Sequence, residues 1–189
     1  MKTAAQSRKT LGKFDWVATA KNALIKDGIK GVKVDLLARD LGITRGSFYW
    51  HFNNRQDLLD ALIDHWRHSN SKPMLEAIRR AGARGLQEDF RHVDNLWFEE
   101  HDYHPKYDAA IRDWARTDEI VANAVHDVDR IRIDAFTEMF KAYGFTGEKA
   151  QIRACILYYH QVGYYALNIQ ETIEERRYLS PQYDEVLLF

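Results

Sequence analysis

Thr44, Arg45, Ser47, Tyr49, Trp50 and His51 place hydroxyl, guanidinium, phenol, indole and imidazole groups within eight residues that contain no carboxylate. A polar, cationic and aromatic face of this kind suits the base edges and the sugar-phosphate backbone of a duplex. Phe48 and Phe52 lie four apart in the same run and give it an apolar side. The segment therefore reads as a short helix with one face in a core and the other presented to DNA.

Just before it, Val34, Leu37, Ala38 and Leu41 recur at helical spacing. Gly42 follows, and glycine supplies the positive φ that a tight helix-to-helix turn needs. Thr44 is expected to cap the second helix. The whole stretch VDLLARDLGITRGSFYWHF, from Val34 to Phe52, reads as a DNA-binding helix-turn-helix.

The formal net charge of -1 conceals a division along the chain. Residues 1 to 55 hold eleven Lys and Arg against four Asp, a net of +7, and the remainder holds sixteen against twenty-four, a net of -8. A basic head on an acidic body is the footprint of a head that meets phosphate and a body that does not. The 189 residues, 46% of them apolar, suffice for one ordinary domain or for a small domain on a larger one. No apolar run approaches the ~20 residues of a membrane helix, and the start MKTAAQSRKTLGKF lacks the apolar segment of a secretory signal. The expected location is cytoplasmic, with no membrane partner. Cys155 is the single cysteine, which rules out an intramolecular disulfide.

With three prolines and little apolar-polar alternation, the chain reads as helical almost throughout. Residues 1 to 13 carry Lys2, Arg8, Lys9 and Lys13 and no acid, and are expected to form a flexible basic arm. Residues 14 to 56 form the helix-turn-helix domain and 57 to 189 a larger helical domain. The first helix, from about Phe14 to Lys26, is expected to bury Phe14, Val17, Ala18, Leu24 and Ile25 and to end at Asp27-Gly28. Asn53-Asn54 break the second helix of the motif, and Asn54 with Asp57 resembles a capping arrangement for a fourth helix. That helix carries Leu58, Leu59, Leu62 and Trp66 and should stop near 69 to 72, before Pro73. Further helices are expected near 73 to 81, 85 to 100, 105 to 117, 118 to 143 and 147 to 170, with a short element after Ser180-Pro181.

The helix from Asp118 to Tyr143 would be about 39 Å long. The next one sets Ala150, Ala154, Leu157, Tyr158, Gln161 and Tyr165 along one stripe. Small residues in a wide apolar face allow close helix approach, in a two-fold four-helix interface or in an intramolecular core. The interface is the expectation taken, because a helix-turn-helix usually reads paired half-sites.

Residues 14 to 62 resemble the DNA-binding domain of TetR-family transcriptional regulators. The likeness rests on Asp27-Gly28, on LLARDLGIT, and above all on Gly46-Ser47-Phe48-Tyr49-Trp50-His51-Phe52 followed by Arg55-Gln56-Asp57-Leu58-Leu59. The family run is typically Gly-x-Leu/Phe-Tyr-x-His-Phe, then a basic residue and a Leu pair. Lys33 departs from it, since the family often has Thr or Ser opening that helix; a weaker cap costs about 1 kcal/mol, and Lys there can reach a phosphate.

The resemblance implies an all-α protein: a three-helix helix-turn-helix domain followed by a larger helical ligand-binding and dimerisation domain. It implies a homodimer on a palindromic operator in double-stranded DNA, repression as the default, and release by a small apolar or aromatic effector. Carried onto this sequence, Thr44 offers hydroxyl and N–H to phosphate or a base edge, Arg45 reads guanine, and Ser47 is a second reader. Gly46 permits close approach, Tyr49 and His51 donate to phosphates, Trp50 lies against sugar or a thymine methyl, and Arg55 and Lys33 clamp phosphates. The arm reaches the minor groove or is disordered.

An effector site is expected among the aromatics of the body, which include Phe90, Phe98, Tyr103, Tyr107 and Tyr164, and Trp97, Trp114 and Tyr158 are the ligand-binding candidates. A rival reading is a metal sensor built on His101, Asp102 and His104 or on His65 and His68, but neither set is complete. An enzyme is a further rival. Glu99 and Glu100 point about 100° apart on a helix and do not converge, and no phosphate loop, nucleophile elbow or metal motif is present. No cofactor is expected. Cys155, set among Ala154, Ile156 and Leu157, reads as a small hydrophobe rather than a redox sensor.

Overall fold

The computed structural model describes residues 11–79, 86–99 and 103–188, and no strand occurs among them. Helix α1, Lys13–Asp27, starts where the Asp15 carboxylate accepts the Gly12 N–H at 2.7 Å. Its buried face is Trp16, Val17, Ala20 and Leu24. This corrects the expected face: Phe14 is 70% exposed, and Ala18 and Ile25 are half-buried. Turning the helix to enclose the Trp16 indole removes the larger aromatic surface from water, and the ring meets Phe48 edge-on at 5.1 Å.

A 3-10 turn, Ile29–Gly31, brings the chain back beneath α1. A Cβ on Gly31 would stand 2.6 Å from Asp27 Cβ and 3.1 Å from the Ala23 carbonyl oxygen, so only glycine fits this approach. Gly31→Ala is expected to cost about 1–3 kcal/mol of head stability by overpacking, measured as a lowered urea midpoint; an unchanged midpoint would show that the turn yields freely.

Helix α2, Val34–Asp40, begins at Lys33, which caps it without a side-chain hydrogen bond. Leu37 and Ala38 are buried, with Val34 and Leu41 half-buried beside them. At its end Gly42 takes φ +69, its N–H donates to the Arg39 carbonyl, and the Ile43 N–H donates to that of Ala38. This double closure is the Schellman motif, and the same pattern ends two later helices at Gly144 and Asn168.

Arg45–Trp50 follows as a 3-10 helix rather than the expected α-helix. Thr44 stands at its start with extended backbone, but the hydroxyl makes no capping bond. Phe48 is fully buried and stacks on buried Phe52 at 5.1 Å. Asn54 Oδ1 then accepts the Asp57 N–H at 3.1 Å while Asp57 accepts from the Asn53 N–H at 3.0 Å, which opens α3, Arg55–Trp66. The described chain divides into two compact units, one to Leu62 and the other from Ile63. The division falls inside α3, six residues beyond the expected boundary, and Leu58, Leu59 and Leu62 before it are buried.

In the second unit the chain does not stop before Pro73. A π turn, Arg67–Ser71, carries it directly into α4, Lys72–Arg79. Then come α5, Leu86–Glu99; α6, Pro105–Ala115, with proline in its first turn; α7, Glu119–Ala142; α8, Glu148–Ala166; and α9, Ile173–Leu188. The Asp118 carboxylate caps α7 by accepting the N–H groups of Ile120 and Val121. Helix α9 starts earlier than expected and runs through Pro181, which removes one N–H from its ladder without ending it.

The core of this unit joins Met74 and Ile78 of α4, Trp97 of α5, Phe136 and Phe140 of α7, and Ala154 and Leu157 of α8. The stripe expected at a dimer interface is mostly spent here: Ala150, Ala154, Leu157, Tyr158 and Gln161 are buried within the chain, because their small residues let α8 lie close against α7. The exposed apolar residues of α8 are Ile152, Ile156 and Tyr159. Among the described residues no helix is long and apolar enough to cross a membrane.

Candidate nucleic-acid interface

The sharp turn at Gly42 and the buried pair Phe48 and Phe52 fix how the 3-10 helix is presented. With those rings inside, Thr44, Arg45, Gly46, Tyr49 and Trp50 are left exposed, while Ser47 and His51 are half-buried. Trp50 is 87% exposed, an unusual position for the largest apolar side chain and a natural one for a ring that meets a partner. A Cβ on Gly46 would meet nothing closer than its neighbour Thr44 Oγ1 at 3.8 Å. Packing within the head therefore gives no reason for glycine there.

Arg45 is exposed but not idle. Its guanidinium donates to the Tyr49 hydroxyl at 3.3 Å and lies 3.5 Å from Asp35 on α2. The Tyr49 hydrogen bond and the Asp35 charge together raise its pKa. Asp35 is a residue the sequence reading missed, ten positions away and with no motif to mark it.

Arg55 has a different place from the one expected. Its Nε donates to the Val32 carbonyl at 2.8 Å and its Nη2 to that of Ile29 at 3.3 Å. It thereby ties the start of α3 to the turn that delivers exposed Lys33 to the head of α2. Lys13 lies over the Phe52 ring at 5.2 Å; residues 1–10 of the expected arm lie outside the described residues.

The model of the bacterial regulatory proteins of the tetR family matches residues 17–62, the span that holds this turn, α2 and most of α1 and α3. The head is a TetR-family domain. Its relatives include the uncharacterized HTH-type transcriptional regulator TtgW of Pseudomonas putida, 33% identical over 67 residues, which are 35% of this chain and 48% of that protein. The match thus spans about half the length of that curated relative. Among solved structures, a regulatory protein of the tetR family from Rhodococcus RHA1 superposes with a TM-score of 0.69 at 16% identity, over 95% of this chain and 96% of that one. SmeT in complex with triclosan gives 0.67 at 13%, over 92% and 90%. At these identities the likeness is one of fold: the chain shares the all-helical architecture of TetR-family regulators with the N-terminal helix-turn-helix.

Beyond the TetR-type head, the second unit holds a buried charge network. Asp108 accepts from Trp66 Nε1 at 3.0 Å, Arg132 Nη1 at 3.1 Å and Arg112 Nε at 2.8 Å. Arg112 also grips Asp129 with both terminal nitrogens, and the Tyr158 hydroxyl bridges the two arginines while donating to Asp129 at 2.6 Å. Arg132 has no solvent exposure and donates on to Ser71 of the π turn at 3.1 Å. Burial pushes the Asp108 carboxyl up, but Arg132 and Arg112 overcome it and hold the group below its ordinary value. Burial likewise drives Tyr158 up to about 12.

The three effector candidates do not share a cavity. Tyr158 is committed to this network, and Trp114 is buried with its indole N–H on Asp118 at 3.2 Å. Trp97 alone lines a cavity, one of about 240 Å³ enclosed by α5, α8 and α9. A larger hollow of about 500 Å³ lies between α4 and α7. Several of its charges are answered nearby, as in Arg130 with Asp127 and Lys72 with Glu76, and among the described residues none of the buried unpartnered side-chain atoms belongs to its lining. Of the metal candidates, His68 Nδ1 lies 2.7 Å from the Asp64 carbonyl oxygen, and no group of three metal-ligating side chains occurs among the described residues. His101, Asp102, Glu100 and the Phe90 side chain lie outside them.

The smaller cavity holds the most perturbed carboxyl of the site. Burial and the adjacent Asp94 carboxylate push Asp184 up to about 7, against the pull of Arg91; His160, Glu171 and Arg176 complete the titratable and charged lining. An acid whose folded pKa is raised stabilises the fold fully below its unfolded value near 4 and loses that contribution as pH rises through 7. Asp184→Asn is therefore expected to raise Tm, by little at pH 4 and by a plateau value above pH 7. A gain that is equal at both ends of a pH series would contradict this assignment.

Proposed function

We propose that the chain is a ligand-responsive transcriptional regulator which binds a palindromic operator as a homodimer, represses by default, and is released by a small apolar or aromatic effector. The observation that carries the reading is the exposed Arg45–Trp50 turn, with its guanidinium, hydroxyls and indole facing outward from a TetR-type head. Thr44, Arg45 and Ser47 contact base edges, Tyr49, His51 and Lys33 donate to phosphates, and Trp50 covers sugar or a thymine methyl. Gly46 keeps that face low enough for the duplex, and Arg55 holds Lys33 in register.

Ile152, Ile156 and Tyr159 recur at helical spacing on the exposed face of α8 and support pairing of two chains there. A dimer fits half-sites about one helical turn apart, ~34 Å. The effector acts by favouring dimers whose heads miss that spacing. The cavity beside Trp97 supports an effector site, and the fold neighbour SmeT is complexed with triclosan.

Selection of bound sequences from random DNA tests this directly. An inverted repeat, whose affinity falls when the effector is added, is the expected product. Binding that is steeply salt-dependent but shows no repeat would instead describe a DNA-packaging protein and refute the proposal.

A further inference from the structure

The cavity between α5, α8 and α9 carries polar groups of two kinds that its own protein neighbours leave unanswered. Asp94 and Asp184 bring two carboxylates close enough to repel. Asp94 is steadied by the Ser180 hydroxyl, whereas Asp184 is half-buried beside that like charge. Glu171 adds a third acid to the lining. The arginine of the lining is engaged elsewhere: Arg176 donates to the Trp97 carbonyl at 3.3 Å and its guanidinium stacks over Phe98 and Tyr164.

The second kind consists of donors. Gln161 is 4% exposed and its amide nitrogen meets no acceptor among the described residues, and the indole N–H of Trp97, 3% exposed, meets none there either. A buried donor without a partner carries its full desolvation cost until an acceptor arrives. The remaining walls are aromatic and aliphatic, chiefly Phe98, Tyr164, Tyr183 and Leu157.

We infer that this cavity binds a compact aromatic amine, with its ammonium between Asp94 and Asp184, its ring against the aromatic walls, and a hydrogen-bond acceptor on the donors of Gln161 and Trp97. The volume of about 240 Å³ fits a one-ring molecule. An anion meets three carboxylates. A neutral aromatic leaves the acid pair uncompensated, while a cation gains both charge pairing and attraction to the ring faces. The inference rests on the proposed role of the cavity as the effector site and names the chemistry that the site selects.

The test is calorimetry on the full chain at pH 8 with three probes of matched shape: tyramine, 4-ethylphenol and 4-hydroxyphenylacetate. Tyramine is expected to bind at least about tenfold more tightly than either of the others. Asp184→Asn should cut tyramine affinity about tenfold and leave 4-ethylphenol unchanged, whereas Gln161→Met should weaken both phenols. Tyramine that gives no binding up to about 10 mM, or that binds no better than the carboxylate probe, overturns the inference on wild-type protein alone. Anisotropy of the operator complex separates the two readings. Tyramine that binds in this order without releasing DNA refutes the effector role and leaves the cavity chemistry standing. An operator released by other molecules, with no tyramine binding, does the reverse.

Discussion

Asp108→Ala is expected to destabilise the helical body by about 3–5 kcal/mol, the cost of breaking one side of a buried ion pair, seen as a large fall in the urea midpoint. Removal of this carboxylate leaves Arg132, which has no solvent exposure, with only the neutral oxygens of Tyr158 and Ser71 among the described residues. Arg132 Nε is already without a partner among them, so little relaxation is on hand. Arg112 fares better because it keeps its two-pronged contact with Asp129.

The comparison that decides the matter is the double variant Asp108→Leu with Arg132→Met. An apolar pair of similar size is expected to recover most of the loss, since a buried pair gains little over good packing. A single variant that loses under about 1 kcal/mol would mean water reaches the site. The same pair sets the acid limit of the fold. Because the Asp108 pKa is depressed in the folded state, its contribution is complete above the ordinary carboxylate value near 4 and fades as pH falls through the folded value.

The second large effect belongs to Arg45. Arg45→Ala is expected to remove about ten- to hundredfold of base discrimination at each half-site. Selection with the variant should relax one base position in each arm of the repeat. Lys33→Ala, by contrast, should weaken all sequences alike and lower the salt slope by about 1. If Arg45→Ala also weakens all sequences alike, Arg45 is a phosphate contact and not a reader. Asp35→Ala sharpens the test: it frees the guanidinium from its 3.5 Å partner and takes a negative charge from the DNA face, so affinity should rise.

The head was legible because its signals are local. Gly42 at positive φ, the Phe48 and Phe52 core pair and the Asn54–Asp57 cap each act within four or five residues, and each stands where the sequence places it. The face of α1 was misread because Phe14 and Trp16 both offer large rings, and only the position of Phe48 across the core selects between them. In the body the long-range pairs left no trace. Arg132 sits among Asp127, Asp129, Arg130 and Asp134, which reads as a solvated helix face, yet its carboxylate partner is 24 residues earlier. Asp94 and Asp184 are 90 positions apart. The α8 stripe offered the right residues for close packing, but spacing alone does not say whether the partner helix belongs to the same chain.

The π turn at Arg67–Ser71 makes the length of this region matter more than its letters. A π turn is an α-helix with one residue too many. Deleting any one of the five would let α3 and α4 join as a regular helix and would turn everything after the lesion by about 100°. Met74 and Ile78 would swing out of the core and Ser71 away from Arg132. A gene for this protein can therefore change codons here with modest penalty, but the loss of a single codon should be as damaging as a missing core helix.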